Sequence, residues 1–152
     1  REVEPAAGGL DSLAHVGSPE AKVIIYMTWG NKVGNRKPVA GYPLANDYEN
    51  MQERLKTSYL EMAYDNDAWC APVGMAWQRV RRERPECELY RSDNYHPAVP
   101  GSYLAANVIF TTLFRKPYRT EFTADLPTSL AEYLQQIAQQ TVLDNFVLLN
   151  IR

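Results

Sequence analysis

Asp93 and His96 are the residues whose types and spacing point most directly to chemistry. They lie in "YRSDNYHPAVPGSYLAANVIF", residues 90–110. A histidine takes a proton from a hydroxyl near neutral pH, and a carboxylate on its other ring nitrogen fixes the tautomer and stabilises the imidazolium. A spacing of three within one loop lets a single turn present the two side chains to each other. D-x-x-H alone is a common pattern, and the plainer alternative is that Asp93 caps a turn while His96 is a surface residue. Acyl transfer would also need a nucleophile, and none of the serines has the setting of one. Ser12, in "GGLDSLAH", has no apolar strand before it to hold it on a strand-to-helix turn. Ser18 precedes Pro19, Ser58 falls inside a helical pattern, Ser92 adjoins the acid, and Ser102 and Ser129 stand at helix starts. His15 reads as a surface residue.

The elements that must position the pair follow from the hydrophobic pattern. "KVIIYMTW", residues 22–29, is a continuous apolar run with β-branched residues, the mark of a strand buried on both faces. A Gly/Pro/Asn-rich loop follows over 30–46. Asp47 is a good N-cap, and Tyr48, Met51, Leu55, Tyr59 and Met62 recur at helical spacing, which predicts an amphipathic helix over 48–64. "WCAPVG", 69–74, reads as a short strand, and "MAWQRVRRER", 75–84, as a helix stopped by Pro85. "CELY", 87–90, is a short strand or an extended approach to the Asp93 loop. Ser102 would cap a helix over 103–114 that is apolar almost all round and so is expected to be buried. Pro127 and Thr128 open a last helix with an inner stripe from Leu130 to Val142, and Phe146 to Ile151 is a candidate third strand. A short helix is expected around Leu10 to Val16. This alternation implies an α/β fold with a parallel sheet flanked by helices. In such a sheet, ligands meet the loops that leave the C-terminal strand ends, here 28–46, 74–77 and 91–102.

Composition bounds the rest. The length suits one domain. Net charge is -2 with pI about 5.7, giving no electrostatic reason to expect nucleic acid as a partner. The one basic cluster, Arg79 to Arg84, reads as a solvated helix end favoured by the helix dipole. No run reaches the ~18 apolar residues of a membrane span, and the chain shows no signal peptide, which leaves the compartment open, an extracytoplasmic one included. Cys70 and Cys87 lack metal-ligand spacing, and buried thiols are favoured over a disulfide. No His/Cys/Asp/Glu cluster has metal spacing, and nothing calls for a cofactor.

Five segments together carry a resemblance: "YMTWG", "NMQERLKTSYLEMA", "APVGMAW", "LYRSDNYHPAVPGSYLAA" and "LQQIAQQTV", in this order over roughly residues 1–142. They resemble the SGNH (GDSL-type) hydrolase superfamily, and within it an uncharacterised bacterial family. The resemblance implies a three-layer parallel-sheet SGNH-hydrolase (flavodoxin-like) architecture, incomplete here. Asp93 would be the triad acid and His96 the base. The superfamily's serine and second sequence block precede the Y-M-T-W-G strand, so residues 1–152 are expected to be the C-terminal portion of a single SGNH hydrolase-like domain. The serine would then come from upstream, and this chain alone would be inactive. The oxyanion donor is expected near Trp29, Gly30 and Asn31, although Gly30 stands where the superfamily has Asn. The alternative is that Thr28-Trp29-Gly30 simply ends a strand. Trp77 would line the cleft, where an indole face suits stacking against a sugar, or would pack in the core.

The function these expectations imply is a serine esterase or acyl hydrolase acting on a small-molecule or glycan ester, carbohydrate acyl esters being the class that analogy suggests. A non-catalytic glycan-binding or structural module of the same fold is the alternative. A sheet lacking its first strands would expose an edge and favour self-association.

Overall fold

A computed structural model of the chain describes residues 3–35 and 45–152. The long loop expected over 30–46 falls partly outside the described residues. Helix α1 spans Val3–Gly17 and strand β1 Ile24–Tyr26; then come α2 (Tyr48–Asp65), β2 (Trp69–Ala71), α3 (Val73–Glu83), α4 (Val99–Phe114) and α5 (Thr128–Leu143).

The expected three-layer parallel-sheet SGNH architecture is not what forms. Among the described residues, five helices surround a sheet of two three-residue parallel strands. Local chemistry explains the shortfall. β2 is followed at once by Pro72, which has no N–H to continue a ladder. The candidate third strand at 146–151 winds instead of extending: Leu149 N–H bonds Asn145 O, Ile151 N–H bonds Phe146 O, and Asn150 is left-handed at φ 53°. Its one tie to the sheet is Cys70 N–H to Leu149 O, 3.0 Å. With so short a partner, the apolar run 22–29 stays a strand for only three residues.

β1 and β2 pair in register Ile24–Trp69, Ile25–Cys70 and Tyr26–Ala71. Trp69 N–H reaches Val23 O and Met27 N–H reaches Ala71 O, each at 3.0 Å. In a parallel ladder alternate residues bond the neighbour, so the peptide groups of Ile24 and Tyr26 face away from β2, with no strand partner among the described residues.

The helices form where expected, with shifted starts. Asp47 caps α2 by accepting from Asn50 N–H at 2.8 Å. α4 begins at Val99, with Pro100 in its first turn, so Ser102 lies inside the helix instead of capping it. Pro favours that position because its missing N–H is not needed there. α4 packs most extensively on α5. The core collects Cys70, Val73, Ala76, Trp77, Val80, Leu104, Val108, Leu134, Ile137 and Val142 around β2. α4 is not buried all round: Phe110, Leu113 and Phe114 are exposed, as are Leu10, Leu13 and Val16 of α1.

Two glycines allow close approach. A Cβ on Gly74 would lie 2.2 Å from Thr28 O, and one on Gly101 would lie 2.4 Å from both Leu89 O and the Trp77 ring. These contacts seat α3 against the end of β1 and α4 against the indole beneath the site. Cys70 and Cys87 are free thiols; burial pushes the Cys70 thiol up to about 12.

Candidate functional site

The chain leaving β1 builds one wall. Trp29 lies flat on Trp77, ring centroids 4.0 Å apart and planes 4° from parallel. Trp77 is 0% exposed and meets Tyr90 edge-on at 5.1 Å. Of the two indoles, Trp29 is half-buried and Trp77 fully buried.

Gly30 is buried and both its peptide groups are engaged. Its N–H donates to Gln52 Oε1 at 2.9 Å, and its carbonyl accepts from the Tyr90 hydroxyl at 2.7 Å. The Asn31 N–H faces Met51 Sδ at 3.4 Å. Of the backbone donors expected near Trp29 and Gly30, the Gly30 N–H is therefore occupied. The Asn31 carboxamide remains: its Oδ1 is buried with no hydrogen-bond partner among the described residues.

Arg81 ties this wall together. Both terminal nitrogens of its guanidinium donate to Lys32 O at 3.2 Å, and one also reaches the Tyr90 hydroxyl at 3.2 Å. The group stacks over the Tyr48 ring at 3.8 Å, a distance at which a cation gains from the ring's face. The basic cluster is thus divided. Arg79 and Arg82 do pair at the surface with Glu83 and Glu49, while Arg81 turns inward. Sequence reasoning passed over Arg81, Gln52 and Tyr48. A signal existed for the first: Arg81 follows buried Trp77 by one helical turn and so shares its face.

The acid–base loop forms the other wall. Tyr90 and Pro97 make an antiparallel bridge, flanked by Arg91 N–H to His96 O at 2.8 Å and Ala98 N–H to Leu89 O at 2.8 Å. Asn94 takes a left-handed conformation, φ 60°, which Asn tolerates better than most residues. The turn brings Asp93 and His96 together. Asp93 Oδ2 lies 2.6 Å from His96 Nδ1, and Oδ1 accepts from the N–H groups of Tyr95 and His96 at 2.9 Å each. The hydrogen bond from His96, followed by those two backbone donors, holds the Asp93 carboxyl down at about 2. An ionised carboxylate only accepts, so Nδ1 carries the proton, and in the neutral imidazole Nε2 is then the acceptor. The His96 side chain is 61% exposed. Tyr95 packs edge-on against it at 4.8 Å.

Two bonds join the walls: Lys32 N–H to Asn94 O at 2.9 Å, and the Trp29 indole Nε1–H to Tyr95 O at 3.1 Å. These bonds bring Trp29 beside the exposed Asp93–His96 turn, while Gly30 and Trp77 are buried behind it. Ser12 bonds Gly8 O within α1, and among the described residues no serine hydroxyl bonds His96. A small pocket beside the site, of about 100 Å³, is lined by Lys32, Arg81, Cys87, Glu88 and Tyr90. Among the described residues no group of three His, Cys, Asp or Glu side chains is placed to hold a metal ion, and no helix is long and apolar enough to cross a membrane.

The chain matches no protein-family model, no curated protein and no solved structure.

Proposed function

We propose that this chain carries the acid–base half of an ester hydrolase. The observation that supports this reading is the Asp93–His96 pair, with Nδ1 held by an ionised carboxylate and Nε2 directed to solvent. In the reaction, a serine hydroxyl from outside these 152 residues attacks the ester carbonyl while Nε2 takes its proton. The resulting oxyanion collapses, and His96 returns the proton to the departing alcohol. Water then repeats the sequence on the acyl-enzyme. The Asn31 carboxamide is the side-chain donor this reading assigns to the oxyanion. Small-molecule or glycan esters are the substrate class, carbohydrate acyl esters foremost.

A non-catalytic glycan-binding module is the second reading. The half-buried Trp29 beside Tyr95, which is 57% exposed, favours it because aromatic faces suit sugars.

A fluorophosphonate probe on the full gene product separates the two. The hydrolase reading expects one adduct by intact mass, lost in His96→Ala. No adduct, together with no turnover of p-nitrophenyl acetate, overturns it and leaves binding to pursue.

A further inference from the structure

The Asp93–His96 turn has two sets of supports, and they are separable. One set is local: the three bonds accepted by Asp93 and the bridge between Tyr90 and Pro97. The other comes from the far side of the site. Lys32 N–H and the Trp29 indole take the carbonyls of consecutive residues, Asn94 and Tyr95, immediately after the left-handed turn of the backbone. The local set closes the turn at an exposed corner, where its bonds compete with water. The second set ties the turn to the chain that leaves β1.

Of the two outside bonds, the one from Trp29 is made by a side chain whose own placement is fixed. The indole lies flat on Trp77, which is fully buried and itself wedged by Gly101 and Tyr90. An indole held on one face by a 4.0 Å stack cannot re-aim its N–H without losing that contact. The bonded carbonyl belongs to the residue immediately before His96, so a shift there moves the imidazole directly.

We propose that Trp29 is a positioning residue, its indole N–H on the Tyr95 carbonyl clamping the Asp93–His96 turn to the end of β1. The role given to the turn rests on the hydrolase reading; the clamp itself does not. A stacking platform would use the indole face, whereas the clamp uses its N–H edge. Trp29→Phe keeps a flat ring on Trp77 and deletes the donor.

The experiment is NMR titration of the full-length protein and its Trp29→Phe variant. The wild type is expected to give a downfield His96 Nδ1–H signal and an Asp93 midpoint of about 2. In the variant, that signal is lost to exchange and the Asp93 midpoint moves toward the ordinary 3.8. An unchanged Nδ1–H signal and midpoint, with the core methyls of Val80 and Leu104 undisturbed, shows that the local turn suffices and overturns the proposal. Should the variant fail to fold, the wild-type Trp29 indole N–H decides. Protection from exchange supports the clamp, and exchange at the rate of free indole overturns it. None of these readouts needs turnover, so a protein that hydrolyses nothing would refute the hydrolase reading while leaving the clamp measured.

Discussion

At the scale of single residues, Asp93 accepts three hydrogen bonds although it is exposed, and this separates it from its partner in function as well as in charge. Its carboxyl stays ionised down to about 2. Any acid limb above about pH 3 in a rate profile therefore belongs to another group. On the hydrolase reading, Asp93→Asn removes the carboxylate that fixes the imidazole tautomer, and hydrolysis is expected to fall by about 10⁴-fold, as measured for a triad acid. A profile measured from pH 4 to 9 for wild type and variant checks both statements. The D-x-x-H pair was legible from spacing because its geometry is made within four consecutive residues. Its support was not. Trp29 meets Tyr95 across 66 positions of sequence, and Arg81 meets Lys32 across 49. No periodicity records such pairs, and Arg81 sat among arginines that do face solvent.

At the scale of elements, helix signals were read more truly than strand signals. The Asp47 cap and the stripes of α2 and α5 depend on neighbours within one turn, which sequence displays. An apolar run such as 22–29 becomes a strand only as far as a partner pairs with it, and Pro72 ended the partner early. Two glycines mark where elements touch most closely, and each gives a test. Gly74→Ala and Gly101→Ala would each gain up to ~1 kcal/mol of helix propensity. Against this stand clashes at 2.2 and 2.4 Å with backbone oxygens, which cannot rotate away. Overpacking of this kind costs ~1–3 kcal/mol or more, so both variants are expected to be net destabilised. In a chain of this size each kcal/mol lowers the melting temperature by about 2–4 °C. Thermal melts decide it, and Gly74→Ala should in addition perturb the Trp29 resonances, since Thr28 is the residue it displaces.

The whole molecule's stability is expected to fall at both ends of the pH scale, for different reasons. Asp93, Glu53, Glu83 and Glu88 sit below their ordinary values chiefly through side-chain hydrogen bonds from His96, Lys56, Arg79 and Lys32 respectively. At Glu49 partial burial works the other way, but bonds from Arg82 and Gln78 outweigh it. In each case the unfolded chain binds the proton more readily. Their contribution is present above the ordinary values of 3.8 and 4.5 and is lost as pH falls through the folded ones. Cys70 acts in the opposite sense. Its thiol is held neutral up to about 12, while the unfolded thiol ionises from 9.0, so stability declines as pH rises across that interval. Urea midpoints lower at pH 3 and at pH 10 than at pH 7 are the expected result, and Cys70→Ala should flatten the alkaline side. The one-sided pairing of β1 has a consequence for time as well as for shape. Deuterium should enter this strand in alternation, with Ile24 and Tyr26 amides labelling within the dead time of a pulse. The Ile25 and Met27 amides, turned toward β2, should wait for the sheet to open. Two exchange regimes would then run, residue by residue, along a single strand leading into the site.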